Sequence, residues 1–104
     1  MANSFKIPDK FKIKGRTIKV VWDNERLNRE GLLGEADFSE LKITLCKTSR
    51  GRRLKKSEIE HTFFHELSHI ALHLCDRHRL KWNEELVDDL GLCLMNFFKT
   101  RKPL

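Results

Sequence analysis

The segment Thr62-Phe-Phe-His-Glu-Leu-Ser-His-Ile-Ala-Leu-His-Leu74 has the periodicity of an amphipathic helix, and the rest of the chain is interpreted outward from it. At about 100° per residue, its three histidines occupy about 80° of the helix surface. The apolar side chains, which fall together on the opposite face, are Phe63, Phe64, Leu67, Ile70, Ala71 and Leu74. We therefore expect a helix with one face in the core and one face of imidazoles.

The unit His65-Glu66-Leu-Ser-His69 within this helix predicts a metal site. Two histidines four positions apart lie about 40° from each other on a helix, so both imidazoles can reach one ion. Glu66 falls at the edge of the same face, where a carboxylate can contact a metal-bound water without being a ligand. The alternative is an ordinary amphipathic helix whose histidines face solvent. We favour the metal site, because the motif lies on a helix with the expected buried face.

A second helix, predicted from about residue 83 to residue 99, carries the candidates for a third ligand. A catalytic zinc site usually has three protein ligands and a water, so the histidine pair needs a downstream partner. Glu84 lies at the margin of the apolar face of this helix, whereas Glu85 lies nearly opposite that face, so Glu84 is the better ligand. Asp88, one turn later, is expected to accept a hydrogen bond from a ligand imidazole. The alternative is a solvated acidic first turn favoured by the helix dipole.

The first half of the chain is predicted to contribute a small sheet. Residues 17–22 are rich in branched and aromatic side chains, as strands are. Residues 35–38 and 41–46 alternate apolar with polar side chains, which indicates a second pairing region with one buried face. Residues 24–34 contain polar side chains and two glycines and are interpreted as a connecting loop, and residues 47–56 as a basic connection.

The element bounds and the length together predict the fold class. Ser57 is the predicted N-cap of the first helix, with Glu60 completing a capping box, and this helix runs to about Cys75. With 104 residues, the chain fits one domain spanning residues 1–104. We expect an α+β fold, in which a small antiparallel or mixed sheet packs on the histidine-bearing helix and on the second ligand-bearing helix.

The composition excludes several classes of protein. A hydrophobic fraction of 39% with 35% charged residues is typical of a globular domain rather than a disordered chain. No apolar run approaches the roughly 18 residues of a membrane span, and the first residues lack the apolar core of a signal peptide. Cys46, Cys75 and Cys93 form no regular framework, which suits reduced thiols. We therefore expect a cytoplasmic protein without disulfides and without a membrane partner.

The basic residues raise an alternative class of function. Lysine and arginine total 21 against 15 acidic residues, a net charge of +6. The excess lies in residues 6–19, in residues 99–102, and in a segment that contains Arg50, Arg52, Arg53, Lys55 and Lys56. Such a patch could bind nucleic acid or an acidic protein, although solvated loops are favoured because few aromatic residues interleave with the charges. If the patch does bind a partner, the chain would be a non-catalytic, zinc-stabilised binding module.

The combination of His65-Glu66-x-x-His69 with Asn83-Glu84-x-x-x-Asp88 resembles the gluzincin arrangement of the thermolysin-like metallopeptidases. Over nearly its whole length, the chain is also similar to small phage and prophage zinc metallopeptidases of the ImmA/IrrE type, and more distantly to SprT-like domains. The segments that carry this similarity are Ile7-Pro8, Gly15-Arg-Thr-Ile-Lys-Val20, Gly34-Glu-Ala-Asp37, Leu41-Lys-Ile43, Thr62-Phe-Phe-His-Glu-Leu67 and Asn83-Glu-Glu-Leu-Val87.

The resemblance implies a minimal zincin-like fold and a phage or prophage protein that acts in the cytoplasm of a bacterial host. It further implies that the substrate is a protein or peptide, such as a phage or host regulator. In related zincins an edge strand ahead of the motif helix aligns the substrate backbone, and residues 41–46 correspond to that strand.

The resulting hypothesis is a mononuclear zinc peptidase with one Zn2+ per chain, held by His65, His69 and Glu84. Glu66 is the expected general base. It would take a proton from a water whose pKa the metal lowers toward about 7, and it would deliver that proton to the leaving amine.

The tetrahedral intermediate of such a reaction also needs a donor or a positive group besides zinc. Tyrosine is excluded, because the chain contains none. The candidates are His73, one turn past His69, and His78 or Arg77 in the connection between the helices. Each of the three also has an alternative interpretation as a surface residue.

Overall fold

A four-stranded mixed sheet packed against two long helices forms the body of the structure, a computed structural model that describes residues 5–102. The predicted α+β class is confirmed, since this part of the chain contains three helices and a mixed sheet. None of these helices combines the length and the apolar character needed to cross a bilayer. In chain order the elements are β1 (Lys10–Ile13), β2 (Arg16–Trp22), α1 (Asn24–Glu30), β3 (Gly34–Asp37), β4 (Lys42–Leu45), β5 (Thr48–Ser49), β6 (Arg52–Arg53), α2 (Lys56–Leu74), a short 3-10 turn (Leu80–Trp82) and α3 (Glu84–Thr100).

The sheet has the strand order β1, β2, β4, β3. β1 and β2 form an antiparallel hairpin, β2 and β4 run parallel, and β4 pairs antiparallel with β3. The two edges of the sheet are therefore β1 and β3, and β4 is internal. Side chains alternate along each strand, which places Ile18, Val20 and Ile43 on the face that forms the core.

Helix α2 covers this apolar face of the sheet with the side that the sequence predicted to be buried. Phe63, Phe64 and Ile70 are almost fully buried and join the sheet residues in one continuous core. Burial of side chains of this size stabilises a fold by about 1.5–3 kcal/mol each. The histidine-bearing face of α2 is therefore held in a fixed orientation, turned away from the core.

Helix α3 packs along α2 and crosses it closely at Gly91. A Cβ atom on Gly91 would lie only 2.9 Å from the backbone nitrogen of His65, so the crossing requires glycine. Asn83 caps α3 by accepting a hydrogen bond from the backbone N–H of Leu86 (3.1 Å). The acidic first turn of α3 therefore begins beside the histidine face of α2.

The predicted loop at residues 24–34 is wrong in its first part, because Asn24–Glu30 forms helix α1. The Asp23 carboxylate accepts a hydrogen bond from the backbone N–H of Arg26 (3.0 Å) and caps the helix. Gly31 ends the helix in the left-handed conformation (φ 72°), and the fully buried Leu27 anchors it. Asp23 and Gly31 are ordinary cap signals, but the polar composition of the segment conceals them.

The predicted N-cap at Ser57 is also wrong, because α2 already begins at Lys56 and Lys55 is its N-cap. The backbone N–H of Lys55 donates to Glu58 Oε1 (2.8 Å), so Glu58 rather than Glu60 closes the first turn. Two further short elements were not predicted as strands, namely β1 and the β5–β6 hairpin. The remaining strands and helices lie within one or two residues of their predicted bounds.

Candidate metal centre

His65, His69 and Glu84 converge where the first turn of α3 meets α2. His65 Nε2 lies 3.0 Å from Glu84 Oε2, and His69 Nε2 lies 3.1 Å from Glu84 Oε1. One ligand atom from each of the three residues falls within 4.8 Å of the other two. The structure thus brings together the three residues that the sequence predicted as ligands, and this group could hold a metal ion.

The second ring nitrogen of each histidine is engaged by a hydrogen-bond acceptor. His65 Nδ1 lies 3.1 Å from Asp88 Oδ1, and His69 Nδ1 contacts the backbone carbonyl of Lys81. Glu84 also offers only acceptor oxygens, so each ring has an acceptor at both nitrogens, and a neutral ring has one proton for the two. We assign that proton to Nδ1, which leaves Nε2 as the atom that could bind a metal. Each ring then presents the lone pair of Nε2 to the Glu84 carboxylate. Acceptors that face one another this closely need a proton or a cation between them.

Asp88 is shared by two histidines of α2. Its Oδ1 atom lies 3.1 Å from His65 Nδ1 and 3.0 Å from His61 Nε2. The hydrogen bond to His65 lowers the pKa of Asp88 and outweighs the effect of partial burial, and His61 adds to the decrease. An ionised Asp88 can therefore orient the His65 ring. His61 was missed in the sequence, although its position one turn before His65 is a signal for a place on the same helix face.

Glu66 lies beside the three candidate ligands without being one of them. Only 8% of the residue is exposed. Burial, opposed by His65 and assisted by the carboxylates of Glu84 and Glu35, raises the pKa of Glu66 to about 7. Gly34 makes room mainly for Thr62, since a Cβ at position 34 would lie 2.5 Å from Thr62 Cγ2 and 3.3 Å from Glu66 Oε2. A carboxyl group with a pKa near neutrality can take up and release a proton at physiological pH.

A cleft of about 400 Å³ opens beside these groups. One wall is formed by α2 and α3 and includes His65 and Glu66. The other wall is residues 31–34, which lead into the edge strand β3. Leu32 and Leu33 are exposed in this segment, so the second wall offers apolar surface. The cleft therefore combines an acid–base group, one candidate metal ligand, His65, and a sheet edge.

The assignment of residues 41–46 as an edge strand is wrong. Lys42–Leu45 forms β4, which is hydrogen-bonded to β2 on one side and to β3 on the other. β3 (Gly34–Asp37) is the edge strand on this side of the sheet, and the segment that leads into it lines the cleft. Any backbone pairing with a ligand at this edge is therefore available to β3 and not to β4.

The structure groups the predicted transition-state stabilisers around a different residue, Lys81. His73 Nδ1 lies 2.8 Å from Lys81 Nζ, and His78 Nδ1 lies 3.4 Å from the same atom. The His73 ring also stacks on Phe38, with 4.7 Å between centroids. Arg77 is exposed. Within residues 5–102, none of the three candidates hydrogen-bonds to the ligand group.

Lys81 is a buried cation that the sequence did not reveal. The residue is 8% exposed, and its ammonium lies 4.3 Å from the centroid of the Phe38 ring. Its backbone carbonyl accepts the hydrogen bond from His69 Nδ1. The side chain of Lys81 thus anchors the 3-10 turn whose backbone orients a candidate ligand. Burial lowers the pKa of His73, and the ammonium of Lys81 lowers it further, so His73 can accept the lysine hydrogen bond.

The positive charges of the predicted basic segment at residues 50–56 are partly neutralised by an ion pair. Arg52, on the β5–β6 hairpin, forms an ion pair with Glu58 (3.2 Å). Lys55 and Lys56 are exposed at the start of α2. The segment lies at the opposite end of α2 from His73, so it does not line the candidate metal centre.

Comparisons of the chain with models of protein families, with curated protein sequences and with solved structures find no match. The resemblance inferred from the motifs therefore stays a prediction.

Proposed function

We propose that this protein is a zinc-dependent metallopeptidase with a minimal zincin-like fold, in which His65, His69 and Glu84 hold one Zn2+ and Glu66 transfers protons. The observation that carries the proposal is the pair of histidine Nε2 atoms that face one carboxylate while both Nδ1 atoms are engaged elsewhere. The buried Glu66 adds an acid–base group that a purely structural metal site does not require.

The donor set suits zinc better than the other common divalent cations. Two imidazole nitrogens and one carboxylate oxygen are typical of catalytic zinc sites, whereas Mg2+ and Ca2+ prefer oxygen ligands. With metal–ligand distances of about 2.0–2.2 Å, tetrahedral ligand atoms lie about 3.3 Å apart. Two different Glu84 oxygens lie 3.0 and 3.1 Å from the two Nε2 atoms, and one ligand atom of each residue lies within 4.8 Å of the others, so the side chains must close further around an ion. The Glu84 side chain is 66% exposed, which leaves the group open toward solvent.

When bound, zinc would act as a Lewis acid toward a peptide carbonyl and lower the pKa of water toward about 7. Glu66 accepts the proton of the attacking water and delivers it to the leaving amine. In the metal-free protein, burial raises the pKa of Glu66 to about 7, and a neighbouring cation would lower it toward the ionised form that accepts a proton.

An extended peptide is the substrate that this cleft fits best. An edge strand has unpaired N–H and C=O groups, and β3 can therefore pair with a peptide backbone. Leu32 and Leu33 beside it favour an apolar side chain in the substrate. The family resemblance adds a phage or host regulatory protein in the bacterial cytoplasm as the first substrate to test.

The test compares bacterial cells that express the wild type, Glu66→Gln or Glu85→Gln, using proteomics of protein N-termini. We expect new termini with the wild type and with Glu85→Gln, whose altered side chain is exposed on α3, and none with Glu66→Gln. Elemental analysis should give one zinc per chain for all three. The same termini with Glu66→Gln would refute its role as the base. A zinc-loaded wild type that creates no termini would identify a non-catalytic, zinc-stabilised binding module.

A further inference from the structure

We propose that the outer face of the β1–β2 hairpin is a docking surface for double-stranded DNA, which it contacts through the phosphate backbone. This surface, which we call the basic hairpin face, consists of the exposed residues Lys10, Lys12 and Lys19 on the side of the sheet away from α2, together with Lys14 in the adjoining turn. It contains no residue of the candidate metal centre, and the proposal does not depend on peptidase activity.

The sheet register places lysines directly opposite one another across three strands. Lys10 pairs with Lys19 between β1 and β2, and Lys19 pairs with Lys42 between β2 and β4. The row ends at Asp37 on β3, opposite Lys42. Directly opposed residues have Cβ atoms about 5 Å apart, and like charges at that distance destabilise a sheet. An anion lying over the row would remove this repulsion.

The charges of the basic hairpin face are not neutralised from within the protein. β1 and β2 contain no acidic residue, and none of the four lysines forms an ion pair within residues 5–102. Cations elsewhere in the fold that do form ion pairs are Arg26 with Glu35 (2.8 Å), Arg52 with Glu58 (3.2 Å), Lys99 with Glu60 (3.0 Å) and Lys42 with Glu40 (3.5 Å). Within residues 5–102, the hairpin therefore carries four exposed lysines without an ion pair, and a second such group lies in residues 47–56, namely Lys47, Arg50, Arg53, Lys55 and Lys56.

The side chains on this face favour a duplex backbone over single-stranded bases. Strand alternation turns Ile18 and Val20 into the core, and Trp22 at the far end of β2 is already engaged by Lys47, 5.0 Å from its ring centroid. Binding of single strands depends on stacking of bases on aromatic rings, which this face does not offer. Lysine is a flexible point charge that contacts phosphates without reading bases.

A duplex is also the polyanion that such a cluster attracts most strongly. It carries one charge per about 1.7 Å of its axis and releases bound counterions when lysines neutralise them. An acidic protein surface rarely reaches that charge density. We therefore commit to double-stranded DNA, and an acidic polypeptide is a competitor in the test.

Lys55 and Lys56 provide a matched control, because both are exposed lysines at the start of α2. The 19 residues of α2 span about 28 Å. This helix covers the core face of the sheet, whereas Lys12 and Lys19 lie on the other face. The control lysines and the mutated lysines are therefore on different sides of the sheet.

The experiment titrates a fluorescein-labelled DNA duplex of about 20 base pairs and random sequence with the full chain, between about 50 and about 200 mM KCl, and follows anisotropy. For four to five phosphate contacts, we expect the logarithm of the association constant to fall with the logarithm of the KCl concentration, with a slope of about −4. Lys12→Gln/Lys19→Gln should weaken binding at least about tenfold at about 100 mM KCl and reduce the slope by about 2. Lys55→Gln/Lys56→Gln should change the affinity less than about twofold.

Three results would each overturn the proposal. The first is wild-type binding weaker than about 1 mM at the lowest salt, since non-specific DNA binding is normally tighter. The second is an equal loss in both double variants, which would indicate diffuse charge rather than this face. The third is tighter binding to poly-glutamate or to single-stranded DNA than to the duplex.

Circular dichroism verifies that each variant is folded. Zinc content should be unchanged throughout, so failure here leaves the peptidase proposal untouched.

Discussion

Gly91 of α3 lies against the backbone of His65 on α2, and this contact sets the separation of the two ligand-bearing helices. A Cβ atom at position 91 would lie 2.9 Å from the His65 nitrogen and 3.0 Å from its Cα. Glu84 and Asp88 stand on the same helix as Gly91, two turns and one turn earlier. Their distances to the His65 ring therefore depend on how closely the helices approach.

Gly91→Ala is expected to separate α2 from α3 and to weaken metal binding. Overpacking of this kind costs about 1–3 kcal/mol, of which the better helix propensity of alanine recovers up to about 1 kcal/mol. We expect a lower free energy of unfolding without metal and a zinc affinity reduced by at least about tenfold. Urea unfolding and competition with a chromophoric chelator measure these effects. Asn96→Ala, at an exposed position of α3, is the control, and a wild-type zinc affinity in Gly91→Ala would contradict the argument.

The choice of Glu84 over Glu85 as third ligand gives a direct comparison of zinc affinities. Glu84 approaches the Nε2 atoms of both histidines, whereas Glu85 is exposed. Glu84→Gln should reduce the affinity by more than the roughly 10–100-fold typical of residues that support a ligand. Glu85→Gln removes the same charge from the same turn and should stay within about twofold of the wild type. A larger loss of zinc affinity in Glu85→Gln than in Glu84→Gln would mean that Glu85, and not Glu84, is the third ligand.

Asp88 is expected to act through His65 rather than on the metal itself. Its carboxylate lies 3.1 Å from His65 Nδ1, and the hydrogen bond to His65 lowers its pKa. Asp88→Ala should therefore weaken zinc binding by about 10–100-fold while one zinc per chain still binds at saturation. Asp89→Ala, at the adjacent exposed position, is the control. Complete loss of zinc in Asp88→Ala would instead indicate a direct ligand.

The convergence of His65, His69 and Glu84 could be predicted from the sequence because each side chain is positioned by the periodicity of one helix. The spacing of the two histidines fixes their common face, and the apolar face of α3 fixes the direction of Glu84. Their meeting then requires only that two amphipathic helices bury their apolar faces in one core. Gly91 was not recognised as the contact point, since a glycine within a helix carries no signal of what it faces.

The edge strand and Lys81 could not be predicted, because both depend on contacts between distant parts of the chain. β4 is internal only because it pairs with β2 in parallel, and strand alternation within residues 41–46 contains no information about that partner. Lys81 is buried because the connection after α2 folds back onto Phe38 and His73. A lysine in a polar connection otherwise predicts an exposed side chain.

Lys81→Met tests whether the buried ammonium holds the turn that orients His69. The lysine Nζ lies 2.8 Å from His73 Nδ1, and the carbonyl of the same residue accepts from His69 Nδ1. Methionine keeps most of the buried volume but loses the hydrogen bond, so we expect zinc affinity to fall by about tenfold. Arg79→Met, at an exposed position of the same connection, should leave zinc affinity unchanged. An unchanged zinc affinity in Lys81→Met would show that the backbone of the turn orients His69 without the lysine ammonium.

Glu66 makes the metal-free protein less stable as the pH rises. The carboxyl group titrates at about 4.5 in the unfolded chain, and burial raises its pKa to about 7 in the folded chain. Below about pH 4.5 both states hold the proton, and the group contributes nothing. Between the two values the folded state binds more protons, so the free energy of unfolding decreases with pH. Above about pH 7 both states are ionised, and the full cost of up to about 3 kcal/mol is present.

Glu66→Gln removes this titration while keeping the shape of the side chain. Urea unfolding with a chelator present should therefore show little difference between variant and wild type near pH 4.5, and a variant more stable by up to about 3 kcal/mol near pH 8. Other titrating groups cancel in this difference, because they are common to both proteins. Glu85→Gln, at an exposed position, should give a difference that does not change with pH. A constant difference for Glu66→Gln as well would mean that Glu66 is solvated in the folded state, which would remove the physical basis for its raised pKa and for its two proton transfers.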